Sequence, residues 1–304
     1  MRRATGLALA ALAAGCVAPG AEPPPAPQSP PPPPVVRQEP PTSPPPRPAG
    51  PASFVFAGEL TQGGWIRGQV PGGTVSARIG DQVIAVAPDG QFFAAFDRDA
   101  GPHATLVATT ADGRTVETPV SIAPRAWQIE RVNAPLRPGN ASPEEFARRR
   151  EGELARIVAA RLRDTGSEGW RQGMTWPAAG RISGRFGSQR IYRGGEAGSY
   201  HSGLDIAGGS GATYVAPADG VVVLAAADEP FSLEGHLLIL DHGNGLNSAF
   251  LHSSALLVRE GERVRQGQAL GRIGATGRAS GPHLHWSLVW RGSRLDPLLF
   301  LPPR

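Results

Sequence analysis

The chain of 304 residues contains no lysine, so all 30 of its basic side chains are arginine. It has a single cysteine, Cys16, which excludes an intrachain disulfide and a Cys-x-x-Cys metal site. Only 18% of the residues are charged, and the formal net charge is +4. An excess this small does not indicate a nucleic-acid partner, and we predict none.

The first sixteen residues have the layout of an export signal. Arg2 and Arg3 give a positively charged start, residues 7–14 form a short apolar stretch, and small residues follow. The stretch is shorter than the about 20 apolar residues that a membrane-spanning helix needs. We therefore expect an exported protein.

The segment 12–16 also resembles a bacterial lipobox, a motif in which the cysteine is lipidated and becomes the mature N-terminus. Ala13 stands where that motif usually has leucine, and 11–13 also fits an ordinary Ala-x-Ala cleavage site. Cys16 is thus a predicted lipidation site that would anchor the chain to a membrane. The alternative is a soluble exported protein.

Proline is concentrated near the N-terminus, where 17 of the 32 prolines lie between Pro19 and Pro51. The composition predicts a disordered linker over residues 17–51, rich in polyproline II, with an outer reach on the order of 100 Å. That reach would suit a tethered enzyme with a distant target. A disordered tail with no distance requirement fits the composition equally well.

Residues 52–125 predict a small β-sandwich of immunoglobulin-like type. Short β segments alternate with turn signals such as Pro-Gly-Gly at 71–73 and Pro-Asp-Gly at 88–90. The one histidine, His103, lies beside a proline in a turn, and we expect no chemistry from this region. The predicted strands are 54–60, 65–70, 74–79, 82–87, 91–96, 104–110 and 115–122.

Residues 126–173 predict a connector with one helix over 143–164. Ser142 suits the N-cap, Pro143 the first helical position and Glu145 a capping box. The three arginines at 148–150 could contact an anionic polymer, but the glutamates among them favour a solvated face. The face expected to pack on one or both domains consists of Leu154, Ile157, Val158 and Leu162.

Six of the seven histidines lie between residues 201 and 285. A strand over 283–290 would place His283 and His285 on one face, about 7 Å apart. His201 and Asp205 lie four residues apart in a loop that contains glycine, and they could turn toward one ion. Two imidazoles and one carboxylate, with water in the fourth position, would form a zinc site of the catalytic kind. The spacing alone does not decide which of His283 and His285 would be the ligand.

These pairs lie among motifs that occur in a fixed order. The motifs are Trp-Pro at 176–177, Gly-Arg-Ile-Ser-Gly-Arg-Phe-Gly at 180–187, and the segments 201–206, 215–220, 241–245 and 274–285. Over residues 174–304 the chain resembles the lysostaphin-type, or LytM-domain, zinc metalloendopeptidases, which cut peptide cross-links in bacterial cell walls. The resemblance implies a mainly β fold with a C-terminal antiparallel β domain.

The resemblance also implies roles for five residues. His201, Asp205 and His285 would bind one zinc ion, while His252 and His283 would be unligated catalytic histidines. Zinc would polarise the scissile carbonyl and lower the pKa of its water to about 7. One free histidine would accept a proton and the other would stabilise the oxyanion, with the division between them left open.

The implied function is zinc-dependent hydrolysis of peptide cross-links in peptidoglycan, in the periplasm or cell envelope. An export leader, a proline-rich linker and a possible lipobox are typical of a protein of a Gram-negative envelope. This context favours D,D cross-links as the bonds that are cleaved. One alternative is a non-catalytic peptidoglycan-binding or amidase-activating relative, of a kind that has typically lost ligands. The other is a structural domain with incidental zinc. The sequence identifies no protein partner.

Overall fold

The computed structural model describes residues 50–131, 133, 143–191 and 193–304. The predicted export signal, the predicted lipidation site Cys16, nearly all of the proline-rich linker and Ser142 lie outside these residues, as does the side chain of Glu145. All of the described residues belong to one compact unit. None of the helices described here is long and apolar enough to cross a membrane.

The first seven strands form two antiparallel sheets. They are β1 Val55–Gly58, β2 Trp65–Gln69, β3 Thr74–Ile79, β4 Gln82–Ile84, β5 Gln91–Ala95, β6 His103–Thr110 and β7 Thr115–Ser121. One sheet has the order β1-β2-β5 and the other β4-β3-β6-β7. Ile66, Phe92 and Leu106 are fully buried in the core that the two sheets share. The predicted β-sandwich is therefore confirmed, because alternating apolar residues on both sheets face each other.

The connector contributes β8 Ile129–Arg131 and α1 Pro143–Arg161. The helix begins at the proline, whose missing N–H costs nothing at a first helical position, and it ends at Arg161 rather than at 164. Of the predicted apolar face only Ile157 is buried. Leu154, Val158 and Leu162 are 46%, 55% and 79% exposed, so the prediction that these three residues belong to the packing face is wrong. The predicted packing of the helix itself is observed, and it is made by Ile157 and Ala160.

The last region is built on an eight-stranded antiparallel sheet. Seven of its strands have the order β17-β13-β14-β15-β19-β11-β9, and the eighth, β20, pairs with β19. A smaller sheet has the order β12-β18-β16, and β10 pairs in parallel with β8. The strands are β9 Arg181–Gly184, β10 Gln189–Ile191, β11 Leu204–Ala207, β12 Thr213–Val215, β13 Gly220–Ala225, β14 His236–Asp241, β15 Leu246–Ser253, β16 Ala255–Leu256, β17 Arg263–Val264, β18 Ala269–Arg272, β19 Leu284–Trp290 and β20 Ser293–Leu295, with 3-10 helices at Gly169–Arg171 and Pro297–Phe300.

Helix α1 lies on one face of this large sheet. Its residues Ile157 and Ala160 pack with Leu237, Ile239 and Ala249 of strands β14 and β15. Ala249 pairs with Ser287 of β19, two residues after His285 on the same face. The helix therefore covers the sheet face that carries His285, while Trp286 and Trp290 point into the core on the other side.

The sandwich and the large sheet share a hydrophobic core. The ring of Trp65 lies 6.3 Å from that of Phe93 and 5.3 Å from that of Phe300, and Phe93 lies 6.2 Å from Trp290. The indole N–H of Trp65 also donates a hydrogen bond to the carbonyl of Leu299 at 2.9 Å. Aromatic packing of this kind holds the two regions together.

Candidate metal centre and its groove

The structure brings three of the predicted site residues into contact. Asp205 Oδ1 lies 3.0 Å from His201 Nε2 and 2.9 Å from His285 Nδ1, and the two ring nitrogens are 3.1 Å apart. The three donor atoms all fall within 4.8 Å of one another, a group that could hold a metal ion. It is the only such group among the residues that the structure describes.

Strand pairing explains why residues so far apart in sequence meet. β11 and β19 are antiparallel neighbours in which Asp205 stands directly opposite His285. Residues opposite each other in such a pair point to the same face, with their Cβ atoms about 5 Å apart. His201 lies in the loop before β11, where its N–H donates to the carbonyl of Ser188 and its own carbonyl accepts from Gly187.

Two glycines make room for the cluster. A Cβ on Gly184 would lie 2.5 Å from Asp205 Oδ2, and one on Gly203 would lie 2.6 Å from His285 Nε2. Real Cβ atoms do not approach so closely, because the overlap is repulsive. The carboxylate and the imidazole can therefore take these positions only beside glycine.

The charges of the cluster are strongly coupled. Burial opposes ionisation of Asp205, but hydrogen bonds from His201 and His285 outweigh it and hold the pKa of the carboxyl well below its usual range. Burial also opposes protonation of His201, yet Asp205 raises the pKa of that ring above its ordinary value. The pKa of His285 is lowered, chiefly by burial. Of the two histidines in the metal-free cluster, His201 is therefore the one that binds a proton more readily.

The donor set fits a zinc ion. The Nδ1–H of His201 donates to the carbonyl of Arg185 at 3.1 Å, since a carbonyl only accepts, and this leaves the Nε2 lone pair directed at the cluster. Two imidazole nitrogens and one carboxylate oxygen are a typical set of three protein ligands with a fourth position for water. The assignment of His201, Asp205 and His285 as ligands stays a prediction.

The two remaining predicted histidines flank the cluster. The ring of His252 lies 5.0 Å from that of His283 and 6.2 Å from that of His285. In both residues Nδ1 lies 2.8 Å from a carbonyl oxygen, that of Thr276 for His252 and that of Gly281 for His283. Because each Nδ1 must carry the hydrogen, each Nε2 is left for substrate or water.

His252 has two unusual properties. Its backbone lies in the left-handed region at a φ of 66°, which few residues other than glycine adopt and which is often found at functional sites. Burial, together with the neighbouring rings of His285 and His283, lowers its pKa to about 4 despite the hydrogen bond to Thr276. At neutral pH the ring is therefore uncharged and can accept a proton.

The other histidines lie outside this group. His242 is fully buried, with Nδ1 2.7 Å from the carbonyl of Asp219 and Nε2 2.7 Å from Ser248 Oγ, which suits a structural role. His236 hydrogen-bonds the carbonyl of Ser253 at 3.0 Å. His103 is exposed at the start of β6.

The cluster opens into a groove of about 1640 Å³. One wall is a stripe of α1 at helical spacing, made of Arg150, Leu154, Ile157 and Arg161. Sequence reasoning missed this wall. The helical periodicity was visible, but nothing local told a groove from a packing surface.

The sandwich and connector also contact the segment that holds His201. The buried Arg98 donates to the carbonyl of Gly187 at 3.1 Å and lies over the ring of Tyr200 at 4.4 Å. Trp127 packs so closely on Gly187 that a Cβ there would lie 2.1 Å from the indole. We predicted no chemistry in the sandwich, and these contacts give it instead a part in shaping the site.

Comparison with known proteins agrees with this geometry. Residues 199–297 match the profile of peptidase family M23. A crystal structure from Pseudomonas aeruginosa assigned to peptidase M23 superposes with a TM-score of 0.60 at 27% identity, over 79% of this chain and 94% of that one. The shared fold thus extends beyond the segment matched by the family profile.

Some of the relatives found by sequence are named as endopeptidases, and others as lipoproteins or as activators of hydrolases. Lipoprotein NlpD of Yersinia enterocolitica is 38% identical over 100 residues, 33% of this chain and 100% of that protein. Peptidoglycan DD-endopeptidase ShyA of Vibrio cholerae is 38% identical over 118 residues, 39% of this chain and 27% of ShyA. Murein hydrolase activator NlpD of Escherichia coli is 36% identical over 129 residues, 42% of this chain and 31% of that protein. The chain spans between 27% and 41% of the length of the first curated relatives that it matches.

Proposed function

This chain belongs to peptidase family M23, and from that membership we propose that it is a zinc-dependent endopeptidase of peptidoglycan peptides, with D,D cross-links as its substrate. The observation that supports a hydrolase most strongly is the complete group of residues at the groove. His201, Asp205 and His285 lie close enough together that they could hold one metal ion, which is zinc in this proposal, and the Nδ1 atoms of His252 and His283 beside them face carbonyl oxygens.

The chemistry that a bound zinc ion supplies is polarisation of a carbonyl and acidification of water. His252 is the proton acceptor in this proposal, because its low pKa keeps Nε2 unprotonated at neutral pH. His283 Nε2 lies 3.6 Å from Asp205 Oδ1, beside the three residues of the metal cluster. Because His252 takes the acceptor role in this proposal, His283 is assigned the other role, that of the donor that stabilises the oxyanion and passes a proton to the leaving amine.

The first experiment incubates the purified full chain with cross-linked muropeptides of defined structure. Zinc-loaded wild-type protein should release uncross-linked peptides, and a chelator should stop the release. His283→Ala should keep zinc, measured by metal analysis, and lose at least about 99% of the hydrolysis. Loss of zinc from this variant would show that the roles of His283 and His285 had been exchanged.

A second candidate function is activation of another cell-wall hydrolase, favoured by the relative named murein hydrolase activator NlpD. The presence of all five site residues is the observation against it. Muropeptide products released by this chain alone support an enzyme. No products with zinc present, together with stimulation of an amidase on the same cell walls, would support an activator.

The proposed location is the periplasm or cell envelope, with lipidation at Cys16 as the anchor. The relative named lipoprotein NlpD supports this proposal. Intact-mass analysis of the membrane fraction tests it, with a diacylated or triacylated N-terminal cysteine as the expected result. A mature N-terminus at any other residue would contradict lipidation.

A further inference from the structure

The groove carries an excess of positive charge. Its acidic residues are mostly neutralised: Glu130 pairs with Arg190 at 2.8 Å, Glu234 with Arg150 at 2.7 Å, and Asp205 with its histidines. Glu196 is the acid left over among the lining residues that the structure describes. The arginines that line the groove without an ion pair to a described residue are Arg161, Arg185, Arg278 and Arg294.

Arg161 is the most confined of these arginines. Its Nε is buried without a hydrogen-bond partner, and its guanidinium forms no ion pair within the described part of the chain. The acid that acts on it, Glu234, has both of its oxygens 2.7 Å from Arg150. Burial first, and then the charge of Arg294, lower the pKa of Arg161 to about 10. A cation held in this way lacks a counter-charge.

Arg294 stands at a defined place along the groove. It pairs with Val289 of β19, which lies on the same face as His285 and four residues further along the strand. Four residues of strand span about 13 Å. The backbone N–H of Arg294 donates to Asp97 at 2.8 Å, but its guanidinium has no acidic partner among described residues and lies 5.8 Å from the ring of Tyr200.

The positive charges of Arg161 and Arg294 repel each other, and burial of the Arg161 guanidinium without a counter-ion is unfavourable. A bound anion would offset both costs. Guanidinium groups match carboxylates, which can accept two parallel hydrogen bonds.

We propose that Arg161 and Arg294, which line the same groove as the metal cluster, form a binding site for a free carboxylate of the peptide substrate. The proposal rests on the proposed function, which it deepens by naming the group that the substrate must carry. Helix α1 then belongs to the substrate site, although it lies outside the segment 199–297.

The test measures binding separately from hydrolysis. The full chain, freed of metal by a chelator, is titrated by calorimetry with an uncross-linked muropeptide and with the same muropeptide after its carboxylates have been converted to amides. Wild-type protein should bind the acid form at least about tenfold more tightly. Arg161→Gln should bind both forms about equally. Arg156→Gln, which removes an exposed arginine of the same helix that does not line the groove, should keep the wild-type preference.

Arg294→Gln is a second test variant, which replaces an exposed side chain and so does not disturb packing. It should also reduce the preference for the acid form over the amide form. Equal binding of the two forms by wild-type protein, no measurable binding of the acid form, or an unchanged preference in both variants would overturn the proposal. Hydrolysis by the zinc-loaded protein is assayed in parallel. A carboxylate preference without hydrolysis would refute the endopeptidase and leave the binding site standing.

Discussion

The sandwich and the large sheet are built from the same kind of strand, yet only one of them gathers reactive side chains. In the sandwich, β6 and β7 are joined by a tight hairpin and neighbours in space are often neighbours in sequence. In the large sheet β19 lies between β15 and β11, so Asp205 stands opposite His285, 80 residues away. The site therefore arises from the order of the strands rather than from any single strand.

The two regions differ in whether they carry reactive side chains, but they are in direct contact with each other. Trp65 of the sandwich packs on Phe300, and Arg98 reaches the carbonyl of Gly187 beside the His201 segment. A region without reactive groups can still fix the position of groups in another region, because close-packed cores transmit small displacements.

The largest expected effect comes from removing the carboxylate of the cluster. Asp205→Ala should weaken zinc binding by more than about a hundredfold, since loss of a residue that merely supports a ligand already costs 10- to 100-fold. Hydrolysis should fall with it. Competition with a chromogenic chelator measures the affinity. The control is Asp112→Ala, which removes an exposed carboxylate of the sandwich and should leave the zinc affinity unchanged. A similar loss of affinity in this control would mean that the effect comes from the change in net charge and not from loss of a ligand.

The next effect tests whether the two regions unfold together. Trp65→Ala should lower the free energy of unfolding by about 3 kcal/mol, because it removes a large ring from the shared core and the hydrogen bond to Leu299. Calorimetry should show one transition for the wild type and two for the variant. Val83→Ala, at an exposed sandwich position, should change the stability by less than about 0.5 kcal/mol. Two transitions in the wild type would contradict the coupling.

Local patterns in the sequence were enough to predict some features and not others. All seven sandwich strands were predicted, because turns such as Pro-Asp-Gly at 88–90 interrupt alternating residues whose period is local. The strand predicted over 283–290 followed from the same alternation and is observed at Leu284–Trp290. Peptidase family M23 is confirmed by the match over 199–297, and that prediction depended on motif resemblance rather than on spacing.

Features that depend on distant contacts could not be predicted. The apolar face of α1 was misassigned, because periodicity shows that residues share a face but not what covers it. Leu154 lines the groove instead of a core. The contact of Arg98 with Gly187 joins two regions with no common motif. The boundaries 52–125, 126–173 and 174–304 stay predictions, for which the calorimetry of Trp65→Ala is a test.

A smaller effect is expected from the contact between the two regions at Arg98. Arg98→Gln should weaken zinc binding by about tenfold, since the Gly187 carbonyl and the Tyr200 ring lose a partner and the loop that carries His201 loosens. The drop should appear in chelator competition and in the zinc concentration needed for half-maximal hydrolysis. Arg78→Gln, at an exposed arginine of the same sandwich, serves as the control. Equal affinities for the two variants would limit the sandwich to a role in stability.

The smallest effect distinguishes a structural histidine of the large sheet from the reactive ones. His242 is buried, which lowers its pKa, and its neutral form accepts a hydrogen bond from Ser248 Oγ, which in turn accepts one from Trp286. In the unfolded chain the ring titrates near its ordinary pKa of about 6.5. The stability from this residue is complete above that pH and is lost as the pH falls, because only the unfolded state takes up the proton. In the metal-free protein the advantage of wild type over His242→Gln in urea unfolding should therefore shrink by about 1 kcal/mol between pH 6.5 and 5.5. A constant difference across that range would mean that the ring is protonated in the folded protein as well.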